Sequence, residues 1–186
     1  MARKESITRE ILLENAFDIL RQEGWDGVTA RKLASRIGCS TQPIFRLYAN
    51  MEELSGELFQ MALHRFDSYY LEYPAESDVP FVNLGLAFIG FAASEPRLFR
   101  VLFLTSDRQG KQLYELLNGN TDAIKTELIR ARNAGCKDPG DLFMKMWIFI
   151  HGAACMSITG DYDLDGVQTQ KLLENAYRSF AQTSGV

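Results

Sequence analysis

Residues 29 to 48 read Thr-Ala-Arg-Lys-Leu-Ala-Ser-Arg-Ile-Gly-Cys-Ser-Thr-Gln-Pro-Ile-Phe-Arg-Leu-Tyr. Leu33, Ala34 and Ile37 form a one-sided apolar stripe at helical spacing, and Ile44, Leu47 and Tyr48 repeat it after a break at Gly38. The pattern predicts two short helices packed on one small core. Ala34 is small where they would cross, and Gly38 can take the positive φ of a tight helix exit without a Cβ penalty. Thr29 and Ser40 each precede a helix and can accept hydrogen bonds from its first-turn N–H groups. Pro43 falls in the first turn of the second helix, where its missing N–H removes no intrahelical bond. With the stripes inward, Thr41, Gln42, Phe45 and Arg46 point outward, offering hydroxyl, carboxamide and guanidinium groups to base edges and phosphates. The same geometry also occurs in helical hairpins that never touch DNA.

The sequence around this hairpin narrows the reading. Ahead of it stand Ala16, Phe17 and Leu20 on a first helix, then Gly24-Trp25-Asp26 and Val28-Thr29; after it comes Asn50-Met51-Glu52-Glu53-Leu54. This ordered set, from Ile11 to Leu54, resembles the N-terminal domain of the TetR family of transcriptional regulators, named after the tetracycline repressor. The resemblance implies an all-α chain. Residues 1–50 would be a three-helix helix-turn-helix DNA-binding domain, and residues 51–186 a helical regulatory and dimerisation domain. It further implies a sequence-specific regulator without enzymatic activity or cofactor, a homodimer on a palindromic double-stranded DNA operator, and repression relieved by a small-molecule effector. Thr29, Arg31, Ser40, Thr41, Gln42, Phe45, Arg46, Tyr48 and Asn50 are the expected DNA contacts. Gln42 is the strongest base reader among them, since a carboxamide can pair with adenine N6 and N7 together.

Two positions depart from the family pattern. Position 45 is usually Tyr in relatives and offers its hydroxyl to phosphate, whereas this chain has Phe45; position 51 is commonly Lys, and here it is Met51. Arg46 and Arg31 are the nearest cations able to compensate. A Gln-Pro pair similar to Gln42-Pro43 occurs in the tetracycline repressor, but alignment on Gly38 and Phe45 places it one residue later here, so that protein's base contacts do not carry over.

The whole chain is acidic, with 20 Lys and Arg against 24 Asp and Glu, which is unusual for a DNA binder. The charge is unevenly spread, because residues 1–50 carry a net of +2 and the remainder −6. Arg3, Lys4, Arg9, Arg31, Lys32 and Arg46 could gather as a phosphate-tracking set. The apolar share of 46% is ample for a buried core and excludes a disordered tail. Met1 to Gly24 is charged throughout and does not read as a secretory leader. Cys39, Cys136 and Cys155 are odd in number and lack metal-ligand spacing, which fits a reducing cytoplasm; Cys39 reads as a small core residue rather than a redox sensor.

Beyond residue 50 the periodicity predicts helices near 51–70, 80–94, 96–105, 109–133, 139–159 and 165–182, with 72–80 as a connector. From Leu142 to Ile158 the only clearly polar side chains are Lys145, His151 and Ser157. A helix apolar almost all round must be covered on several sides. A membrane span fits poorly, because the run is short for a bilayer and carries Lys145 and His151. Leu172, Leu173, Ala176, Tyr177 and Phe180 form a stripe on the last helix. His151, Cys155, Leu172, Ala176, Tyr177 and Phe180 are accordingly the expected faces of a four-helix dimer interface. Trp147, His151 and Gly152 resemble a Trp-His-Gly signature found in one group of TetR-like C-terminal domains.

Tyr69, Phe88, Phe91, Phe99, Phe103, Met144 and Trp147 lie on helices that relatives use to line a ligand pocket, and their character favours an apolar or aromatic effector. The same side chains serve equally well as packing. An enzyme reading finds little support: His64 and His151 have no metal-ligand or nucleophile partner at suitable spacing. Asp161-Tyr162-Asp163-Leu164-Asp165 lacks the later Gly and Glu of a calcium loop and reads as a turn with a helix cap at Asp165. The remaining alternative is a helical dimer whose exposed helix-turn-helix binds another protein.

Overall fold

The structure is a computed structural model that describes residues 7–106, 109–119 and 122–183. These residues form ten α-helices and a short 3-10 turn, with no strand among them. They make two compact units, residues 7–64 with 97–106 and 109–110, and residues 65–96 with 111–119 and 122–183.

The first unit contains α1 (Arg9–Glu23), the 3-10 turn Trp25–Gly27, α2 (Ala30–Ile37), α3 (Gln42–Leu47), the first half of α4 (Met51–Glu72), and α6 (Pro96–Phe103). Helix α1 starts where the Ile11 N–H donates to Thr8 Oγ1, and α2 starts where the Lys32 N–H donates to Thr29 Oγ1 at 3.2 Å. At the end of α2, Gly38 takes φ 75°. The Cys39 N–H then reaches back to the Ala34 carbonyl and the Gly38 N–H to that of Ser35, closing the helix with paired bonds to its last carbonyls. The expected cap at Ser40 lies one residue too early. Thr41 directly precedes α3, its side chain makes no capping bond, and Pro43 occupies the first turn. Leu12, Ala16, Ile19 and Leu20 of α1 are buried in this unit, as are Leu33 and Ala34 of α2 and Ile44 of α3.

The second unit contains the rest of α4, then α5 (Val82–Ser94), α7 (Leu113–Asn118), α8 (Ala123–Asn133), α9 (Pro139–Thr159) and α10 (Gly166–Thr183). Its centre is α5 packed against α9 and α10. A Cβ at Gly85 would lie 3.0 Å from both Ile150 and Leu173, so this glycine lets the three helices converge. By length and composition α9 is apolar enough to cross a membrane, but here it is a core helix of the unit. The single helix expected over 109–133 is broken. Gly119 has φ 47°, Asp122 is also left-handed, and a Cβ at Gly119 would collide with the Asp67 carboxylate.

The connector after α4 is pinned by polar contacts. Phe81, fully buried with φ 64°, donates its N–H to the Glu127 carboxylate. Glu127 in turn accepts from Arg130 at 2.6 Å, and Arg130 donates to the Asp78 carbonyl at 2.8 Å. A non-glycine residue held at positive φ is strained, and this buried carboxylate holds it at the entry to α5.

Candidate nucleic-acid interface

Helix α3 has two unlike faces. Ile44 and the following Tyr48 are buried, whereas Gln42, Phe45 and Arg46 are exposed, Phe45 at 51%. With Ser40, Thr41 and Pro43 they line one shallow surface depression. A carboxamide, an aromatic ring and a guanidinium therefore sit within two turns on one face, the donor and apolar set that reads base edges in a major groove.

Tyr48 is a correction, because it does not belong to that face. It is 1% exposed, and its hydroxyl donates to Glu57 Oε2 at 3.0 Å. Burial, and then this hydrogen bond, push its pKa up to about 12. Arg9 stacks over the Tyr48 ring with its guanidinium carbon 4.3 Å from the ring centre. It also donates to Glu53 at 2.7 Å, to Glu57 at 3.1 Å and to the Leu47 carbonyl at 3.0 Å. The arginine expected to track phosphates is thus a clamp joining α1, the end of α3 and α4. Its pKa rises chiefly through Glu57 and then Glu53. Glu57 is held below the usual carboxylate range first by the Arg9 hydrogen bond, and Glu53 first by the Ala49 N–H and then by Arg9. Glu53 and Glu57, one turn apart on α4, are the partners that the sequence reading missed.

The other cations divide into two groups. Lys32 pairs with Glu23, and Arg36 pairs with Asp18 at 2.9 Å and reaches Gln22, so neither is free for phosphate without breaking a contact. Arg31 and Arg46 are exposed and make no ion pair among the described residues. Arg3 and Lys4 lie outside the described residues. Thr29 is exposed with its hydroxyl engaged as the α2 cap. Asn50 accepts from the Glu53 N–H at 2.9 Å while Glu53 accepts from the Ala49 N–H at 2.7 Å, so the Asn50 side-chain oxygen is engaged in capping α4.

Most of the aromatic residues expected to line a pocket occupy the second unit. Tyr69, Phe91, Phe66, Phe88, Trp147 and His151 touch ring to ring in that order, with Phe88 and Trp147 at 4.7 Å. Phe99 and Phe103 belong to the first unit and pack on each other at 5.0 Å. Met144 is a second correction: it is 53% exposed and joins neither cluster. Of the expected dimer residues, His151, Cys155, Leu172, Ala176, Tyr177 and Phe180 are each partly covered within the subunit, and Phe180 packs on Phe149 at 6.1 Å.

Residues 81–180 match the family described as tetracyclin repressor-like, C-terminal domain. The chain belongs to the TetR family. Its fold is similar to that of a TetR-like transcriptional regulator from Rhodococcus sp. RHA1, with TM-score 0.65, 15% identity, and coverage of 99% of this chain and 100% of that one. It is also similar to a TetR family protein from Vibrio parahaemolyticus, with TM-score 0.64, 18% identity, and coverage of 92% and 97%. A comparison with curated protein sequences finds no match. TetR family members are non-enzymatic DNA-binding regulators of transcription, so the chain is a transcriptional regulator and not an enzyme.

Proposed function

We propose that the protein is a cytoplasmic homodimeric repressor that places two α3 helices on a roughly two-fold symmetric operator and is released by a small, largely apolar ligand. The carrying observation is the outward set Gln42, Phe45 and Arg46 on a helix anchored from behind by Ile44 and Tyr48. One such helix touches too few base pairs to choose a site, whereas two held a helical turn apart read a palindrome. Residues 1–50 carry the DNA contacts in this reading, and residues 51–186 carry regulation and dimerisation.

The ring cluster of Tyr69, Phe88, Phe91 and Trp147 supports an apolar effector, because a ligand that opened it would meet aromatic surface. Release needs only that the ligand bind the DNA-incompetent arrangement more tightly than the competent one. The test is a salt titration of binding to operator and to random duplex. Wild type should show a steep salt slope on both, and Gln42→Ala should narrow the operator-to-random ratio more than it weakens random binding. An equal loss on both duplexes would remove Gln42 as a base reader.

A further inference from the structure

Helix α9 carries an apolar stripe that its own subunit leaves open. Met144, Ile148 and Met156 are 53%, 67% and 46% exposed, and Gly152 lies between the last two with nothing within 4 Å of where its Cβ would be. The two ends of this stripe differ in character. Beside the start of α9 is a groove floored by Leu128, Ile129 and Pro139 and edged by Lys125, Arg132 and Lys137. Its carboxylate, Asp138, is committed to the Asp141 N–H as the α9 cap, and Lys125 pairs with Asp122 at 3.0 Å. Arg132 and Lys137 are exposed and make no ion pair among the described residues.

Past the other end of α9 comes the loop Asp161-Tyr162-Asp163-Leu164-Asp165, followed by Gly166 and Val167. Leu164 and Val167 are exposed, Val167 at 79%. Asp161 accepts from Thr159 and Asp165 caps α10, which leaves Asp163 exposed and without a partner among the described residues. The groove is apolar and basic, and the loop is apolar and acidic. They cannot meet within one chain, because the 21 residues of α9 hold them about 30 Å apart at about 1.5 Å per residue.

A two-fold axis solves the geometry. Antiparallel pairing of α9 with a second copy that sets Met144 against Met156 and Ile148 against Gly152 buries the open stripe. Carried outward, the same symmetry brings the start of each α9, with Lys137 just ahead of it, to the end of the second copy's α9, where the Asp161–Val167 loop follows Gly160. We propose that the basic groove of each subunit receives the Asp161–Val167 loop of a second copy, so that two clasps close the ends of an antiparallel α9 pair. The proposal rests on the homodimer reading and adds its register. A parallel pairing would bring Lys137 onto Lys137 and Asp163 onto Asp163, so the charges select the antiparallel arrangement as well as stabilising it.

The test mixes full-length protein of natural isotope content with fully 15N-labelled protein, lets subunits exchange, and applies a carbodiimide that joins Lys to Asp without a spacer. Mass spectrometry should find mixed-isotope peptides linking Lys137 to the Asp161–Asp165 segment. A dimer by sedimentation that yields no such link overturns the clasp while leaving the homodimer intact; a protein that stays monomeric overturns both. Lys137→Glu and Asp163→Lys should each weaken dimerisation about fivefold, since each alters both clasps, and the double variant should recover to within about twofold of wild type. Failure of the double variant to recover also overturns the clasp.

Discussion

Helix α3 has six residues, of which Ile44 is buried, whereas α9 has 21 and buries seven side chains. A helix as short as α3 is not stable alone and takes its position from outside. Arg9, Glu53, Glu57 and Tyr48 supply that position by charge and hydrogen bonds. Helix α9 takes its position from shape, with Ile150 beside Gly85 and Leu173 at the meeting of α5, α9 and α10. The first arrangement responds to pH and salt, and the second responds to volume. The two units are therefore held by forces that can be perturbed separately.

The largest expected effect is on the shape-held region. Leu173 is fully buried, and Leu173→Ala should destabilise the second unit by about 2–5 kcal/mol, read by denaturant unfolding. A loss below about 1 kcal/mol would mean that this helix junction is loosely packed. Next is the charge-held region: Arg9→Ala should cost about tenfold in operator affinity while leaving far-UV helicity almost unchanged, because it unseats α3 without removing a DNA contact. Unchanged affinity would show that α3 is positioned without the clamp.

The pH dependence separates the two regions further. Glu53 and Glu57 are held below their ordinary value in the folded state, so the stability they provide is present above the unfolded glutamate pKa and is lost as the pH falls through the depressed folded values. Tyr48 has the opposite sign: its contribution is complete below the ordinary tyrosine range and fades as the pH rises toward about 12. Unfolding of the first unit followed from pH 7 downward should steepen below about pH 5, and Glu57→Gln should flatten that slope. An identical acid slope in wild type and Glu57→Gln would contradict the clamp's role.

Two smaller effects sharpen the comparison. Thr29→Ala removes the α2 cap and should cost about 1 kcal/mol in thermal unfolding. Phe45→Tyr adds a hydroxyl to an exposed ring on the outward face of α3 and should raise affinity for random duplex about twofold through a phosphate contact, with little change in sequence preference. A loss of affinity would place Phe45 against an apolar part of the groove instead.

Local chemistry made much of this structure readable. Thr29 as a cap, Gly38 in the left-handed turn, Pro43 in the first turn of α3 and the span 139–159 all follow from residues close in sequence. What escaped depends on distant partners. Arg9 looks like any N-terminal cation until Glu53 and Glu57, more than 40 residues away, close on it. Tyr48 fits the apolar stripe of α3, and only its bond to Glu57 shows that its hydroxyl is spent inside the unit. At Gly119 the Asp67 carboxylate from α4 leaves no room for a Cβ, and the exposure of Met144 depends on which sides of α9 the neighbouring helices cover. Periodicity reports which residues share a face, but it does not report what faces them.

The central claim is that the exposed face of α3 chooses a DNA sequence. The most direct measurement is selection of bound sequences from random duplex DNA at near-physiological salt, with the Gln42→Ala, Arg46→Ala double variant run in parallel. The account predicts an enriched, roughly palindromic site for wild type that disappears with the variant. No enrichment by wild type, or the same enrichment by both proteins, would contradict it.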